Sequence, residues 1–218
     1  GSGKSTFIKL LCRLYDPTEG TILMNDVDIR KYRYGEYMRL FSVVFQDFQV
    51  FSLKMGEYIA GSANVDERRA LEAAERAGLS GLLSKMPEGL DTTIGRDFSE
   101  NGFVISGGEA QKLAMARAIY KDAPFVILDE PTAARDPVTE NEIYTRIHEL
   151  IGDKTALFIS HRLSSCRFAG EILVFQKGNI VQRGRHDALC GQEGLYQRMW
   201  EAQAKYYQNT IAGSGQMG

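Results

Sequence analysis

The apolar run FVIL, residues 125–128, constrains this chain more than any other feature, because it stands unbroken in front of two acids, Asp129 and Glu130. A strand with one face in water alternates apolar and polar residues; an unbroken run is expected where both faces are covered, as in a parallel sheet flanked by helices. The run then delivers both carboxylates to the polar end of the sheet, where paired acids suggest metal chemistry. Just upstream, residues 105–118 read ISGGEAQKLAMARA. Ser106, Gly107 and Gly108 offer a hydroxyl and bare backbone amides at a helix start, an arrangement suited to holding an anion against the helix dipole.

The first six residues, Gly1, Ser2, Gly3, Lys4, Ser5 and Thr6, match the downstream part of the phosphate-binding loop G-x-x-x-x-G-K-[ST]. Glycines let backbone amides approach phosphate oxygens, Lys4 brings a positive charge to the outer phosphates, and the Ser5 hydroxyl is able to ligate magnesium. Phe7, Ile8, Leu10, Leu11 and Leu14 recur at helical spacing, so the loop is expected to open a helix. The leading glycine of the motif and the strand feeding it would precede residue 1. The chain is therefore expected to begin inside the motif and, as it stands, to bind nucleotide poorly.

The 218 residues, 44% of them hydrophobic, are enough to bury a substantial core in one unit with a subdomain. A formal net charge of −2 gives no reason to invoke nucleic acid as a bulk electrostatic partner. Cys12, Cys166 and Cys190 are widely spaced and match no zinc or disulfide pattern, so they read as reduced structural thiols in a cytosolic setting. No apolar run approaches the roughly 20 residues that cross a bilayer, and the start does not read as a signal peptide.

Residues 19–30 read as a strand or hairpin edge, and residues 39–45 as a strand that ends at Gln46. A mostly helical insert follows over about 54–86, strongest over 67–83 and punctuated by Gly78, Pro87 and Gly89. Residues 138–151 suit an amphipathic helix with Ile143, Ile147, Leu150 and Ile151 turned inward. Residues 155–159 suit a further buried strand, ending at Ser160 and His161, and residues 172–182 a hairpin turning at Gly178 and Asn179. A last helix carries Leu195, Met199 and Trp200, and the tail 213–218 is expected to be disordered. Strands alternating with helices give an α/β fold with a largely parallel core sheet and ligands at strand ends. His148 and His186 read as ordinary surface or core histidines, and Glu100, Asn101 and Gly102 either as a plain loop or as a contact with a membrane domain.

Five elements thus stand in order: GSGKST, the strand-end Gln46, ISGGE, ILDE and the strand-end His161. Together they closely resemble the nucleotide-binding domain of ATP-binding cassette (ABC) transporters, over residues 1–212. The closing segment, from SHRLSS to QAKYY, resembles the exporter branch, where this domain commonly follows a membrane domain in the same polypeptide. The resemblance implies a P-loop NTPase fold with a helical signature subdomain over about 54–120 and a partial antiparallel edge. It implies ATP and Mg2+ as cofactors, ATP hydrolysis that drives transport, and a place at the cytoplasmic face of a membrane.

The resemblance further implies that two such domains, identical or different, face each other head to tail around ATP. Gly1 to Thr6 would then hold the nucleotide, with Lys4 on the β and γ phosphates. Ser5 and Gln46 would ligate magnesium, and Asp129 would hold it through water. Glu130 would polarise the attacking water, and His161 would contact the γ phosphate. Ser106, Gly107, Gly108 and Glu109 would act on the other copy's nucleotide, and Asp136 would lie in the loop at the dimer seam. Two departures stand out against the family pattern. ISGGE replaces LSGGQ, so Glu109 sets a carboxylate near the anion site, and Arg135 replaces a small apolar residue at the seam. Arg135 keeps open a catalytically weak cassette paired with a different partner. A soluble ABC-type ATPase acting on DNA or ribosomes is the other alternative, although the coiled-coil insertion or tandem second cassette usual in such proteins does not appear in this sequence.

Overall fold

The structure, a computed structural model, describes residues 3–45, 50–95, 102–130, 147, 151–160 and 162–214. It divides into two units, Cys12–Phe158 and Gly1–Leu11 with Ile159–Gly218. Helix α1 (Lys4–Leu11) opens the second of these. It stops before Leu14, which the periodicity places on the helix but which is 41% exposed. The break comes at Arg13, whose positive φ of 53° is incompatible with a continuing right-handed helix.

The larger unit begins with a hairpin of β1 (Leu23–Met24) and β2 (Val27–Asp28), turned by Asn25 and Asp26, both at positive φ. Helix α2 (Tyr34–Arg39) leads into β3 (Phe41–Val44). Next come β4 (Leu53–Lys54), α3 (Met55–Ala60), α4 (Glu67–Arg76), α5 (Ser80–Leu83) and β5 (Thr93–Ile94), with β4 and β5 paired antiparallel. Helix α6 (Gly107–Lys121), β6 (Phe125–Asp129) and β7 (Thr155–Ile159), which runs past the unit's last residue, Phe158, by one position, complete it.

Its central sheet runs in the order β3-β6-β7, with β3 and β6 parallel. Phe41 lies opposite Phe125, their rings stacked at 5.5 Å, and Val44 lies opposite Leu128. Val126, Ile127 and Leu128 are all buried, as an unbroken apolar run requires. The other expected buried strand differs. Of β7 only Ile159 is buried, while Thr155 and Phe158 are exposed, because in the described sheet β7 lies outermost, beside β6.

The helical part is also more broken than the composition of residues 67–83 suggests. Asp66 caps α4 by accepting from the Arg69 N–H at 3.1 Å. At the other end Gly78, at φ 77°, turns the chain out, with Gly78 N–H donating to the Glu75 carbonyl and Leu79 N–H to the Ala74 carbonyl. These two bonds are the pattern of a glycine-terminated helix, so α5 is a separate element. Ala70, Ala73 and Ala74 are buried against α6, small side chains that let two helices approach closely.

In the smaller unit, α7 (Leu163–Cys166) precedes a hairpin of β8 (Ile172–Gln176) and β9 (Asn179–Gly184), then α8 (His186–Cys190) and α9 (Leu195–Ser214). The hairpin turns one residue earlier than expected. Lys177 and Gly178 carry the positive φ values, 49° and 81°, while Asn179 already pairs with Gln176. Leu163, Ile172, Val174, Leu189 and Tyr196 form the core of this unit. Tyr196, rather than Leu195 or Met199, is the buried anchor of α9. Helix α9 continues through Gly213 to Ser214, so the first two residues of the expected tail are helical. The helix expected over 138–151 lies outside the described residues apart from Ile147, which is buried, and Ile151.

Candidate nucleotide site

In the smaller unit, the described part of the phosphate loop is Gly3 followed by the first turn of α1. Lys4 is half-buried there, and Ser5 and Thr6 are exposed. Phe7 N–H donates to the Gly3 carbonyl at 2.9 Å, which closes the first helical turn onto the loop. Gly3 sits at φ 96°, and a Cβ there would lie 3.0 Å from the Gly178 Cα in the turn between β8 and β9. With backbone against backbone, a Cβ would force the hairpin turn to shift by a few tenths of an ångström, so Gly3 is favoured both for its dihedral and for its closeness to the hairpin. Phe7 adds a tilted ring contact with Phe175 at 5.5 Å, which ties α1 to β8. Sequence reasoning assigned Gly3 to phosphate approach and missed its second role, because the partner lies at the far end of the chain.

In the larger unit, β6 delivers Asp129 and Glu130 as expected. Asp129 is only 8% exposed at the strand end. Glu130, the next residue, has φ 50°, a left-handed conformation uncommon outside glycine and asparagine. Such backbone costs of order 1–3 kcal/mol and persists where its surroundings hold it, which is frequent at functional sites. The parallel register brings the Val44 end of β3 to the same end of the sheet as Leu128. Gln46, His161, Asp136, Gly1 and Ser2 lie outside the described residues.

Ser106 is the N-cap of the 15-residue helix α6 and forms a complete capping box with Glu109. The Ser106 N–H and the Ser106 hydroxyl both donate to Glu109 Oε2 at 2.7 Å, and Glu109 N–H donates to Ser106 Oγ at 3.3 Å. These bonds hold the Glu109 carboxyl below the usual carboxylate range, the backbone bond first, helped by Lys85 and Lys112. Gly107 and Gly108 follow with open space where a side chain would stand. The helix ends at Asp122, left-handed at φ 54°, whose N–H donates to the Ala118 carbonyl. Ser42 on β3 fixes this end: its hydroxyl donates to the Ala118 carbonyl at 3.1 Å and accepts from the Ala123 N–H at 3.4 Å. One helix therefore runs from the exposed Ser-Gly-Gly cap to an end pinned on β3, the neighbour of the strand that carries Asp129.

A half-open cleft of about 400 Å3 lies in the same unit, lined by Cys12, Phe41, Phe51, Tyr58, Arg117 and Lys121 among others. Burial pushes the Cys12 thiol up to about 11. Burial, together with nearby Arg117, pulls the Lys121 ammonium down, and its Nζ donates to the Met38 carbonyl at 2.8 Å. The sequence reading did not find this cleft, whose lining comes from well-separated segments with no common motif.

The chain matches the family model described as ABC transporter over residues 1–133. It is 41% identical over 212 residues to the ATP-dependent lipid A-core flippase of Burkholderia orbicola (strain AU 1054), covering 97% of this chain and 35% of that protein. The flippase of the same name from Vibrio cholerae serotype O1 is 41% identical over 205 residues, covering 93% of this chain and 34% of that protein. Among solved structures, a bacterial Atm1-family ABC exporter with ATP bound superposes with a TM-score of 0.82 at 35% identity, over 93% of this chain and 35% of that one. The chain thus spans about a third of the length of the relatives it matches. The phosphate loop, the acid-tipped strand and the capped Ser-Gly-Gly helix agree with that match, and the chain belongs to the ABC transporter family as an ATP-binding cassette with a P-loop NTPase fold.

Proposed function

We propose that this cassette hydrolyses ATP to drive export by a membrane domain, working as one of two cassettes that face each other head to tail at the cytoplasmic side of a membrane. The observation that carries the reading is the pairing of buried Asp129 with Glu130 in a left-handed conformation at the tip of β6. In this reading residues 1–6 hold ATP, with Lys4 on its outer phosphates. Ser106 and the Gly107 and Gly108 amides close over the nucleotide of the second cassette. Glu130 orients the attacking water, and His161 contacts the γ phosphate.

The Ser5 hydroxyl and the Asp129 carboxylate are hard oxygen donors of the kind that suits Mg2+, which is held by one or two carboxylates together with substrate phosphates. Ser5, Gln46 and, through water, Asp129 would hold the ion, which neutralises phosphate charge when bound. The chain's own contribution is to position groups and to place charge, the two things phosphoryl transfer needs most.

Steady-state ATP turnover of the full-length polypeptide carrying Glu130→Gln tests the assignment. Loss of a positioned base is expected to lower turnover by about 10²–10⁴-fold. The variant should still bind ATP and accumulate as a closed pair of cassettes. Turnover at the unsubstituted rate would remove Glu130 from the chemistry.

A further inference from the structure

The Ser106 hydroxyl has one proton, and in this structure it goes to Glu109. Both Ser106 donors, the backbone N–H and the hydroxyl, end on the same oxygen, Glu109 Oε2, each at 2.7 Å. A lone pair of Ser106 Oγ is taken by the Glu109 N–H at 3.3 Å. What the exposed Oγ offers outward is therefore electron density rather than a proton, with a carboxylate one hydrogen bond behind it. The Gly107 and Gly108 amides, as the first two of the helix, have no carbonyl within it to donate to.

We infer that Glu109 is a latch on the signature cap: it holds the Ser106 hydroxyl inward and sets a negative charge behind it, so that the cap closes on a nucleotide phosphate less readily than it would with a neutral residue at this position. The inference rests on the reading that Ser106 meets the nucleotide of a second cassette. For Ser106 to donate to a phosphate, its hydroxyl must leave a charge-assisted bond, about twice as strong as a neutral one, and the phosphate must approach a like charge. Glutamine at this position could keep the cap, since its amide oxygen accepts from the Ser106 N–H. It carries no charge, and its amide nitrogen donates. Lys85 and Lys112 partly offset the carboxylate without touching the hydroxyl. Glu109 is thus a positioning residue acting through Ser106, and it raises the ATP concentration at which two cassettes close.

A double-mutant cycle in the full-length polypeptide tests this, reading KM for ATP and ATP-driven association of the cassettes for the unsubstituted protein, Glu109→Gln, Ser106→Ala and the double variant. Glu109→Gln is expected to lower KM by about three- to tenfold, the scale of one partly screened charge near a phosphate. The advantage should shrink as salt is raised and should largely vanish in the Ser106→Ala background, because the route runs through the hydroxyl. Equal KM for Glu109→Gln and the unsubstituted protein would overturn the latch, as would an advantage of the same size without the hydroxyl. A purely structural role would instead lower Tm and leave KM in place. If Ser106→Ala alone leaves association unchanged, the underlying composite-pocket reading fails. If Ser106→Ala impairs association while Glu109→Gln changes nothing, only the latch fails.

Discussion

At the scale of single residues, the phosphate loop is held from behind as well as shaped for its ligand. Gly3 combines a φ of 96° with a 3.0 Å approach of its would-be Cβ to the Gly178 backbone, so neither neighbour can yield by rotating a side chain. Gly3→Ala is expected to destabilise the fold by about 1–3 kcal/mol through the disfavoured dihedral alone. Urea midpoints measure the first effect and nucleotide titration the second, a parallel loss of ATP affinity. Unchanged stability would show that neither the dihedral nor the hairpin approach constrains the loop. The helix that opens directly after Gly3 was legible because the motif is local. The contact of Gly3 with Gly178 was not, because 175 positions of chain separate the two and no periodicity links them. The left-handed backbone of Glu130 was hidden for a related reason, since the residue type gives no sign of it.

At the scale of elements, α6 carries the account, since its start is the exposed Ser-Gly-Gly cap and its end is pinned to β3 by Ser42. Replacing Glu109 by Ala removes one arm of the capping box and should cost about 1 kcal/mol. Because hydrogen bonds from Ser106 lower the Glu109 pKa, that contribution is fully present above the ordinary glutamate range and is lost as pH falls through the lower folded value. The gap in urea midpoint between the unsubstituted protein and Glu109→Ala should therefore be widest near neutral pH and close in acid. A gap independent of pH would mean the carboxylate's charge is not what supports the cap. Elements with strong local patterns stand where expected: the apolar run 125–128, the helix after the Ser-Gly-Gly cap and, in position though not in burial, the strand 155–159. Errors fell where two local signals competed. Gly78 breaks the helical insert as its residue type suggests, whereas Gly178-Asn179 outweighed Lys177-Gly178 as the turn because a lysine rarely adopts positive φ.

At the scale of the whole molecule, the residues of the proposed site are shared between the units, with Lys4 and Ser5 in one and Asp129, Glu130 and the Ser106 cap in the other. Composition and motif order identify the fold class and the family. The family match and the 0.82 TM-score to an ATP-bound exporter agree with that reading. How two copies meet is a property of surfaces, and no single sequence writes a partner's geometry into its own periodicity. The central claim is that a nucleotide is held by Lys4 of one cassette and by Ser106 of another, and mixed pairs test it most directly. Full-length copies carrying Lys4→Ala are combined with copies carrying Ser106→Ala, and ATP turnover of the mixture is compared with that of each variant alone. A head-to-tail pair regains one intact composite site, so the account predicts turnover in the mixture well above either variant by itself. Turnover no higher than the average of the two separate variants would contradict it.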